Sequence, residues 1–199
     1  MDDKTFVSRA GLKLEHALNE FNFDVTGMTC ADLGCNVGGF TDCLLQRGAK
    51  HVYALDTGYG TLAWKLRSDE RVTTLERTNA LHVEPLCEVD LVVIDLGWTP
   101  QKLALPASIK WTNCGYIISL IKPHYELKPE EKKVEKVGEG LSEEAVSRVI
   151  ARTKTLCQEL SLELLGETIS PIRGKKSSKK GSGNSEYLML FKTASLTVN

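Results

Sequence analysis

The chain has 199 residues, of which 42% are hydrophobic and 26% charged, with a formal net charge of −1. These values are typical of a globular protein and disfavour a disordered or fibrous chain. No apolar run approaches the roughly 18 residues that span a bilayer, and Met1-Asp2-Asp3-Lys4 does not begin a signal peptide. We therefore expect a cytoplasmic protein with a single globular unit, because this length is enough for one well-buried core.

The chain begins with a predicted helix and continues with alternating strands and helices. Ser8 to Phe21 has the apolar spacing of a helix, with Ser8 as its expected N-cap. The predicted strands are Met28–Leu33, His51–Asp56, Val72–Leu75, Val89–Asp95 and Gly115–Ile121, and the predicted helices are Val37–Arg47, Thr61–Arg67, Leu103–Trp111 and Leu141–Glu159. Continuous apolar runs such as Leu91–Ile94 indicate strands that are covered on both faces. The pattern predicts an α/β fold, a mostly parallel sheet with helices on each side.

The last part of the chain departs from this alternation. Leu162–Ile169 and Glu186–Phe191 are strand-like runs with no helix between them, which predicts a terminal antiparallel hairpin and seven strands in all. Their connection, residues 170–183, is rich in Gly, Ser and Lys and is expected to be mobile. Lys128–Gly140 carries mixed charge and is predicted to be a solvated surface loop. We divide the unit into a substrate-side helix, residues 1–25, and a main domain, residues 26–199.

The cysteines and histidines indicate no metal site. The six cysteines form no C-x-x-C pair, so they are expected to be reduced and mostly buried. The four histidines, His16, His51, His82 and His124, form no cluster with Asp or Ser that indicates a hydrolytic triad. We assign them no chemistry.

The most informative pattern runs from Ala31 to Phe40 and continues with His51–Asp56, which predicts a strand, a glycine turn, a helix and a second strand. Glycines in the turn let backbone N–H groups approach a ligand. Asp56 follows about twenty residues later, where a carboxylate binds both hydroxyls of a ribose. The spacing differs from the G-x-G-x-x-G of dinucleotide sites and favours a mononucleoside such as S-adenosylmethionine. The alternative is a tight turn without a ligand.

Within this site, Asp32 either holds the turn or contacts the methionine ammonium group, while Asn79 either contacts the adenine edge or caps the turn that begins at Ala80. Gly34 and Gly38 would line the amino-acid end, and Thr57 or Ala80 would form a wall for the adenine. The predicted cofactor-binding residues are Asp32, Gly34, Asn36, Gly38, Gly39, Phe40, Asp56, Thr57, Asn79 and Asp95.

An ordered set of motifs then resembles one family over nearly the whole chain. The motifs are Ser8-Arg9-Ala10-Gly11-Leu12-Lys13-Leu14, the glycine turn continuing to Ala49, Gly58-Tyr59-Gly60 with Trp64-Lys65-Leu66-Arg67, Leu75-Glu76-Arg77-Thr78-Asn79-Ala80, Ile121-Lys122-Pro123 and Ser170-Pro171-Ile172. Together they closely resemble the FtsJ-like ribosomal RNA methyltransferases, in the TlyA or haemolysin A branch. The resemblance implies a Rossmann-like class I methyltransferase that uses S-adenosylmethionine and acts on RNA, with ribosomal RNA as the expected partner.

The resemblance also implies a Lys-Asp-Lys-Glu tetrad that methylates a ribose 2′-hydroxyl. Its members match Lys13, Asp95, Lys122 and Glu186. Each alone is as readily a solvated or capping side chain, but all four occur in the expected order. Asp95 and Lys122 also end parallel strands, at the edge where open α/β sheets bind ligands. A lysine partly removed from water beside another cation favours its neutral amine, so Lys122 is the candidate general base.

The chain departs from the branch in two ways. Members of the branch carry a small N-terminal RNA-binding domain, and this chain starts near the linker that follows it. Either the sequence is a shortened form of a longer protein, or RNA is bound by the chain's own surface or by a partner. Trp98 follows Asp95 where the branch has a different pattern, and it either stacks on the target base or packs on the surface. Arg9, Arg173 and the lysines at 175, 176, 179 and 180 are candidate phosphate contacts, and a solvated hairpin tip is the alternative.

Two other functions stay open at this point. A non-catalytic RNA-binding or ribosome-assembly module could have the same fold, although the intact tetrad and glycine turn argue against it. The membrane-lytic role implied by the word haemolysin has little support, because the sequence contains no long amphipathic helix with exposed apolar residues.

Overall fold

The computed structural model describes residues 5–135, 140–174 and 183–194. The strands are β1 (Thr29–Leu33), β2 (His51–Leu55), β3 (Val72–Leu75), β4 (Leu91–Ile94), β5 (Tyr116–Ile121), β6 (Leu162–Ile169) and β7 (Tyr187–Thr193). The helices are α1 (Ala10–Glu20), α2 (Gly39–Gln46), α3 (Trp64–Arg67), α4 (Gln101–Ile109), α5 (Pro123–Glu126), α6 (Pro129–Val134) and α7 (Glu143–Glu159).

All seven strands form one sheet in the order β3-β2-β1-β4-β5-β7-β6. β1 to β5 are parallel, and β7 is antiparallel to both of its neighbours. The predicted Rossmann-like sheet with a terminal antiparallel hairpin is therefore confirmed. From β1 the strand order runs outward to β2 on one side and to β4 on the other, so the crevice between β1 and β4 is the expected ligand site.

The core consists of two apolar layers, one on each face of the sheet. Leu14 of α1 and Leu44 of α2 belong to one layer, and Leu105 of α4 and Cys157 of α7 belong to the other. Consecutive residues of β1 divide between them, since Cys30 packs in the first layer and Ala31 in the second. Both faces of the central strands are thus covered, which explains why those strands are mostly apolar in sequence.

The structure corrects two local predictions. Arg9, not Ser8, is the N-cap of α1, and no side chain caps this helix. Ser8 instead lies against Gly39, where a side chain on α2 would collide with its hydroxyl. The second correction concerns Lys128–Gly140, because residues 129–134 form α6 rather than a loop. Glu131 accepts a hydrogen bond from the Lys128 N–H at 2.8 Å and stabilises the start of that helix.

The burial of the cysteines agrees in part with the prediction. Cys30, Cys35, Cys43 and Cys157 are buried, as expected, whereas Cys87 is partly and Cys114 fully exposed. Within the described ranges, no helix has the length and apolarity needed to cross a membrane. Residues 136–139 and the four lysines at 175–180 lie outside the described residues, so the predicted phosphate contacts of those lysines stay a prediction.

Candidate active site

A cavity of ≈ 650 Å³ opens at the carboxyl edge of the sheet, between the ends of β1, β4 and β5. Its walls come from the glycine turn after β1, the segment after β4, the start of α5, the start of α1 and the residues before β7. The lining residues that bear on chemistry are Arg9, Lys13, Asp32, Gly34, Asn36, Phe40, Asp95, Trp98, Lys122, His124, Tyr125, Arg173, Asn184 and Glu186.

Asp32 holds the glycine turn with one oxygen and leaves the other without a partner. Its Oδ2 accepts hydrogen bonds from the N–H of Thr41 at 2.9 Å and from the hydroxyl of Thr41 at 2.6 Å. Its Oδ1 is buried and has no protein partner. Burial raises the pKa of Asp32 to about 7, and the nearby carboxylates of Asp95 and Asp56 act in the same direction. The hydrogen bonds from Thr41 oppose this rise. A cationic group bound at Oδ1 would satisfy this oxygen.

The glycines of the turn serve different purposes. Gly34 has φ +92°, and a Cβ there would lie 2.8 Å from the backbone oxygen of Asp95, so only glycine leaves the crevice between β1 and β4 open. Gly38 and Gly39 are not among the residues that line the cavity. A side chain on Gly38 would collide with Leu62 and Leu66. Gly38 and Gly39 therefore let α3 and α1 pack closely behind the turn.

Asp56 connects the turn after β1 to the loop after β2. Its Oδ2 accepts from the N–H of Asn36 at 2.8 Å, and its Oδ1 accepts from the N–H of Gly58 at 2.7 Å. Thr57 and Asn79 are exposed at the ends of β2 and β3, and Asn79 Oδ1 accepts from the N–H of Leu81 at 3.0 Å. Asn79 thus makes the capping contact. Asp56, Thr57 and Asn79 lie outside the cavity lining, so their contact with a ribose and an adenine stays a prediction.

Lys122 and Asp95 form an ion pair across neighbouring strand ends. Lys122 Nζ donates to Asp95 Oδ1 and to the backbone oxygen of Leu96, the latter at 3.3 Å. Because β4 and β5 are parallel, their carboxyl ends bring these two side chains to the same edge.

A second ion pair closes the cavity from the opposite side. Lys13 Nζ on α1 donates to Glu186 Oε2, just before β7. Both side chains are largely buried, with exposed fractions of 11% and 4%. All four residues of the predicted tetrad therefore line one cavity, as two lysine–carboxylate pairs.

His124 and Asn184 were missed by the sequence analysis. Five buried side-chain polar atoms in the described residues have no hydrogen-bond partner, and three of them, on Asp32, His124 and Asn184, belong to residues that line this cavity. Buried polar atoms without partners are uncommon in proteins and indicate a ligand or water. Burial and the charge of Lys122 lower the pKa of His124 to about 4, so its imidazole is neutral at pH 7.

The sequence does carry a signal for His124 and Asn184, although a search for a hydrolytic triad does not detect it. His124 lies two residues after Lys122, and Asn184 lies two residues before Glu186. Each is therefore carried to the cavity by the chain segment that carries a tetrad member.

Trp98 and Tyr125 form an aromatic pair at the cavity. Their ring centroids are 4.9 Å apart, with an interplanar angle of 34°. Trp98 has φ +59° and is 86% exposed. The ring of Trp98 thus contacts Tyr125 and is otherwise accessible to a flat ligand, and its stacking on the target base stays a prediction.

The residues at the β1 end of the cavity fit S-adenosylmethionine. Asp32 Oδ1 is an unpartnered acceptor for an ammonium group, and Gly34 leaves space that a Cβ would fill. Within the described part of the chain, no group of His, Cys, Asp and Glu side chains is arranged to hold a metal ion.

The sheet topology and this cofactor site define an S-adenosylmethionine-dependent methyltransferase. Comparison with known proteins gives the same class. The chain belongs to the FtsJ-like methyltransferase family, whose model matches residues 6–191.

Several known proteins are similar to this chain over most of its length. The 16S/23S rRNA (cytidine-2′-O)-methyltransferase TlyA of Mycobacterium tuberculosis is 38% identical over 195 residues, which cover 96% of this chain and 70% of that protein. Hemolysin A of Brachyspira hyodysenteriae is 37% identical, covering 94% of this chain and 76% of that protein. The crystal structure of a candidate hemolysin from Lactococcus lactis has a TM-score of 0.86 at 36% identity, covering 97% of this chain and 91% of that one.

Proposed function

We propose that this chain transfers a methyl group from S-adenosylmethionine to a ribose 2′-hydroxyl of RNA, with ribosomal RNA as the substrate. The observation that carries the proposal is the pair of lysine–carboxylate contacts, Lys122 with Asp95 and Lys13 with Glu186, in the cavity that also holds Asp32. Two relatives named as rRNA (cytidine-2′-O)-methyltransferases support it and make cytidine the nucleotide to test first.

The cofactor end of the cavity binds and orients the methyl donor. When bound, S-adenosylmethionine supplies an electrophilic methyl group on a positively charged sulfur. Asp32 Oδ1 would accept a hydrogen bond from the ammonium group of the cofactor, and Gly34 would let the backbone approach its amino-acid end. Asp56 would accept hydrogen bonds from the ribose hydroxyls of the cofactor, because each of its oxygens has a second lone pair besides the one that binds Asn36 or Gly58.

Lys122 removes the proton from the acceptor hydroxyl. In its neutral form, Nζ would take the proton of the ribose 2′-hydroxyl, so that the 2′-oxygen could accept the methyl group that S-adenosylmethionine would supply, with the sulfur leaving as a neutral thioether. Asp95 and the backbone oxygen of Leu96 fix the direction of Nζ and stabilise the ammonium that forms. Holding the reacting atoms in line supplies a large part of the rate enhancement.

The other cavity residues bind the acceptor nucleotide. Lys13, held by Glu186, donates hydrogen bonds to the nucleotide opposite Lys122. Arg9 and Arg173 line the same cavity and supply positive charge for RNA phosphates. We also retain as a proposal the division into a substrate-side segment, residues 1–25, which includes Arg9 and Lys13, and a methyltransferase domain, residues 26–199.

The experiment that tests this function compares Lys122→Ala with wild type. Purified protein is incubated with S-adenosylmethionine carrying a radiolabelled methyl group and with ribosomal RNA or ribosomal subunits that lack the modification. Lys110→Ala is the matched control, because Lys110 is exposed and its only described ion pair, to Glu84, is on the surface. We expect Lys122→Ala to reduce kcat at least 100-fold and Lys110→Ala to behave as wild type.

Two results would contradict the account. Transfer by Lys122→Ala at a rate near wild type would remove Lys122 as the base. Failure of the wild type to methylate any 2′-oxygen in ribosomal RNA or its subunits, while it binds S-adenosylmethionine, would favour a non-catalytic RNA-binding module.

A further inference from the structure

We propose that Glu126 is a positioning residue that fixes the segment from Asp95 to Gln101 against α5 and so holds the acceptor side of the site in place. The inference rests on the proposed function, because Asp95 and Trp98 act on the acceptor nucleotide there. Glu126 itself does not line the cavity.

The contact that carries the proposal caps α4 from outside the helix. Glu126 Oε1 accepts a hydrogen bond from the N–H of Gln101 at 2.9 Å. Pro100, the N-cap of α4, makes no side-chain capping bond, so Glu126 satisfies an amide that would otherwise lack a partner at this helix start. The side chain of Gln101 is buried and accepts from the hydroxyl of Ser119 on β5 at 2.8 Å.

This bond is the last of three attachments that join residues 122–126 to the segment after β4, which runs from Asp95 to Gln101. Lys122 binds Asp95 and the oxygen of Leu96 at the beginning of the segment. Tyr125 contacts the ring of Trp98 in the middle, and Glu126 binds Gln101 at the end. The segment is thus held at both ends and at its centre by residues 122–126.

The carboxyl group of Glu126 lies where burial disfavours its charged form. Burial raises its pKa above the usual range, although the bond from Gln101 and the charges of Arg152 and Lys102 oppose the change. Arg152 also donates to the backbone oxygen of Glu126 at 3.1 Å, which ties α5 to α7. Without the acceptor at Glu126, the last of the three attachments is lost and the loop that carries Trp98 is free to shift relative to Lys122.

The test compares Glu126→Ala with Glu126→Gln, whose amide oxygen can accept the same bond. Glu126→Met keeps the side-chain volume without the acceptor and covers the case in which the alanine variant does not fold. Glu130→Ala is the matched control, because Glu130 is an exposed glutamate of the neighbouring α6.

Two readouts are needed. The first is ¹⁹F NMR of protein that contains fluorotryptophan. The chain has three tryptophans, and the resonance of Trp98 is identified by its loss in Trp98→Phe. The second is kcat and KM for RNA together with Kd for S-adenosylmethionine. We expect Glu126→Ala and Glu126→Met to shift or broaden the Trp98 resonance and to lower kcat about tenfold with an unchanged cofactor Kd. Glu126→Gln and Glu130→Ala are expected to retain wild-type values.

An unchanged Trp98 resonance and kcat in the alanine and methionine variants would overturn the proposal. It would also be overturned if Glu126→Gln were as impaired as Glu126→Ala, because the hydrogen bond would then not be the cause. The NMR readout requires no methyl transfer. Failure of the proposed function would therefore appear as an inactive wild type whose Trp98 resonance still responds to these substitutions.

Discussion

Lys13 on the first helix donates to Glu186, which lies just before the last strand, so that two residues 173 positions apart in sequence meet inside the cavity. Both side chains are largely removed from water. The acceptor side of the site therefore exists only when the first and last elements are packed together.

Substitutions at the buried Lys13–Glu186 pair distinguish its contribution to stability from its contribution to activity. Removing one partner leaves a buried charge without compensation, which costs about 3–5 kcal/mol, so Glu186→Ala should lower the free energy of unfolding by this order. The double variant Lys13→Met with Glu186→Leu has no buried charge and should regain much of that stability. Denaturant unfolding and methyl transfer, measured on the same samples, check both effects.

We expect the double variant to remain inactive despite its stability. Arg47→Met with Glu15→Leu, which replaces the partly exposed pair between α1 and α2, is the matched control and should retain activity. Substantial methyl transfer by the Lys13→Met/Glu186→Leu protein would show that this pair only holds the fold.

Asp32 predicts a pH-dependent affinity for the cofactor. Its pKa of about 7 means that the carboxyl is largely protonated at pH 6 in the unliganded protein. A bound ammonium group favours the carboxylate, so Kd for S-adenosylmethionine should fall as the pH rises towards 7, by up to about tenfold per pH unit. Isothermal titration calorimetry between about pH 5.5 and pH 7 measures this slope. Asp32→Asn should bind more weakly and without the slope.

The same group affects the stability of the unliganded protein in the opposite direction. The pKa of Asp32 is raised in the folded state from its usual 3.8, so its contribution to stability is complete below about pH 4 and is lost as the pH rises through 7. Comparing the unfolding free energy of wild type with that of Asp32→Asn across this range isolates the effect. A difference that stays constant with pH would contradict the assignment.

His124 and Asn184 should contribute to binding of the acceptor RNA and not of the cofactor. Each has a buried polar atom without a partner in the cavity, and a hydrogen bond made there is worth about 1 kcal/mol or more. We expect His124→Ala and Asn184→Ala each to raise KM for RNA about fivefold to tenfold, with an unchanged Kd for S-adenosylmethionine. The exposed His82 provides the matched His82→Ala control. Equal weakening of cofactor binding would place these residues at the wrong end of the cavity.

Trp98 should stack on a base of the acceptor RNA. Its exposed ring beside Tyr125 is suited to this, and base stacking on an aromatic side chain is worth about 1–3 kcal/mol. Trp98→Ala is expected to weaken RNA binding about tenfold, while Trp98→Phe retains most of the affinity. Trp64→Ala is the control, because Trp64 is 76% exposed but lies outside the cavity lining. Equal losses at both tryptophans would point to a general effect of surface aromatics.

Much of the fold follows from local patterns in the sequence. The mostly apolar runs of β1, β4 and β5 reflect burial on both faces, and they predict those strands to within one or two residues. The family resemblance supplied all four tetrad residues, and the position of Asp95 and Lys122 at the ends of parallel strands supports two of them. The structure brings the four side chains to one cavity, and their catalytic roles stay a prediction.

The remaining features depend on tertiary contacts that no local pattern records. The start of α1 was misplaced because Ser8 packs against Gly39, a residue of another helix. α6 was missed because charged residues that suggested a loop are stabilised by Arg152 of α7. The capping of α4 by Glu126 and the unpartnered atoms of His124 and Asn184 likewise require knowledge of what lies beside each side chain.

The central claim is methyl transfer to a ribose 2′-oxygen, and mass spectrometry of the product tests it most directly. Ribosomal RNA incubated with the wild-type protein and S-adenosylmethionine carrying a ¹³C-labelled methyl group is digested to nucleosides and to mapped fragments. The label is expected on the 2′-oxygen of a defined nucleotide, and it is expected to be absent with Lys122→Ala. Label found on a base, or no label in RNA that the protein binds together with the cofactor, would contradict the account.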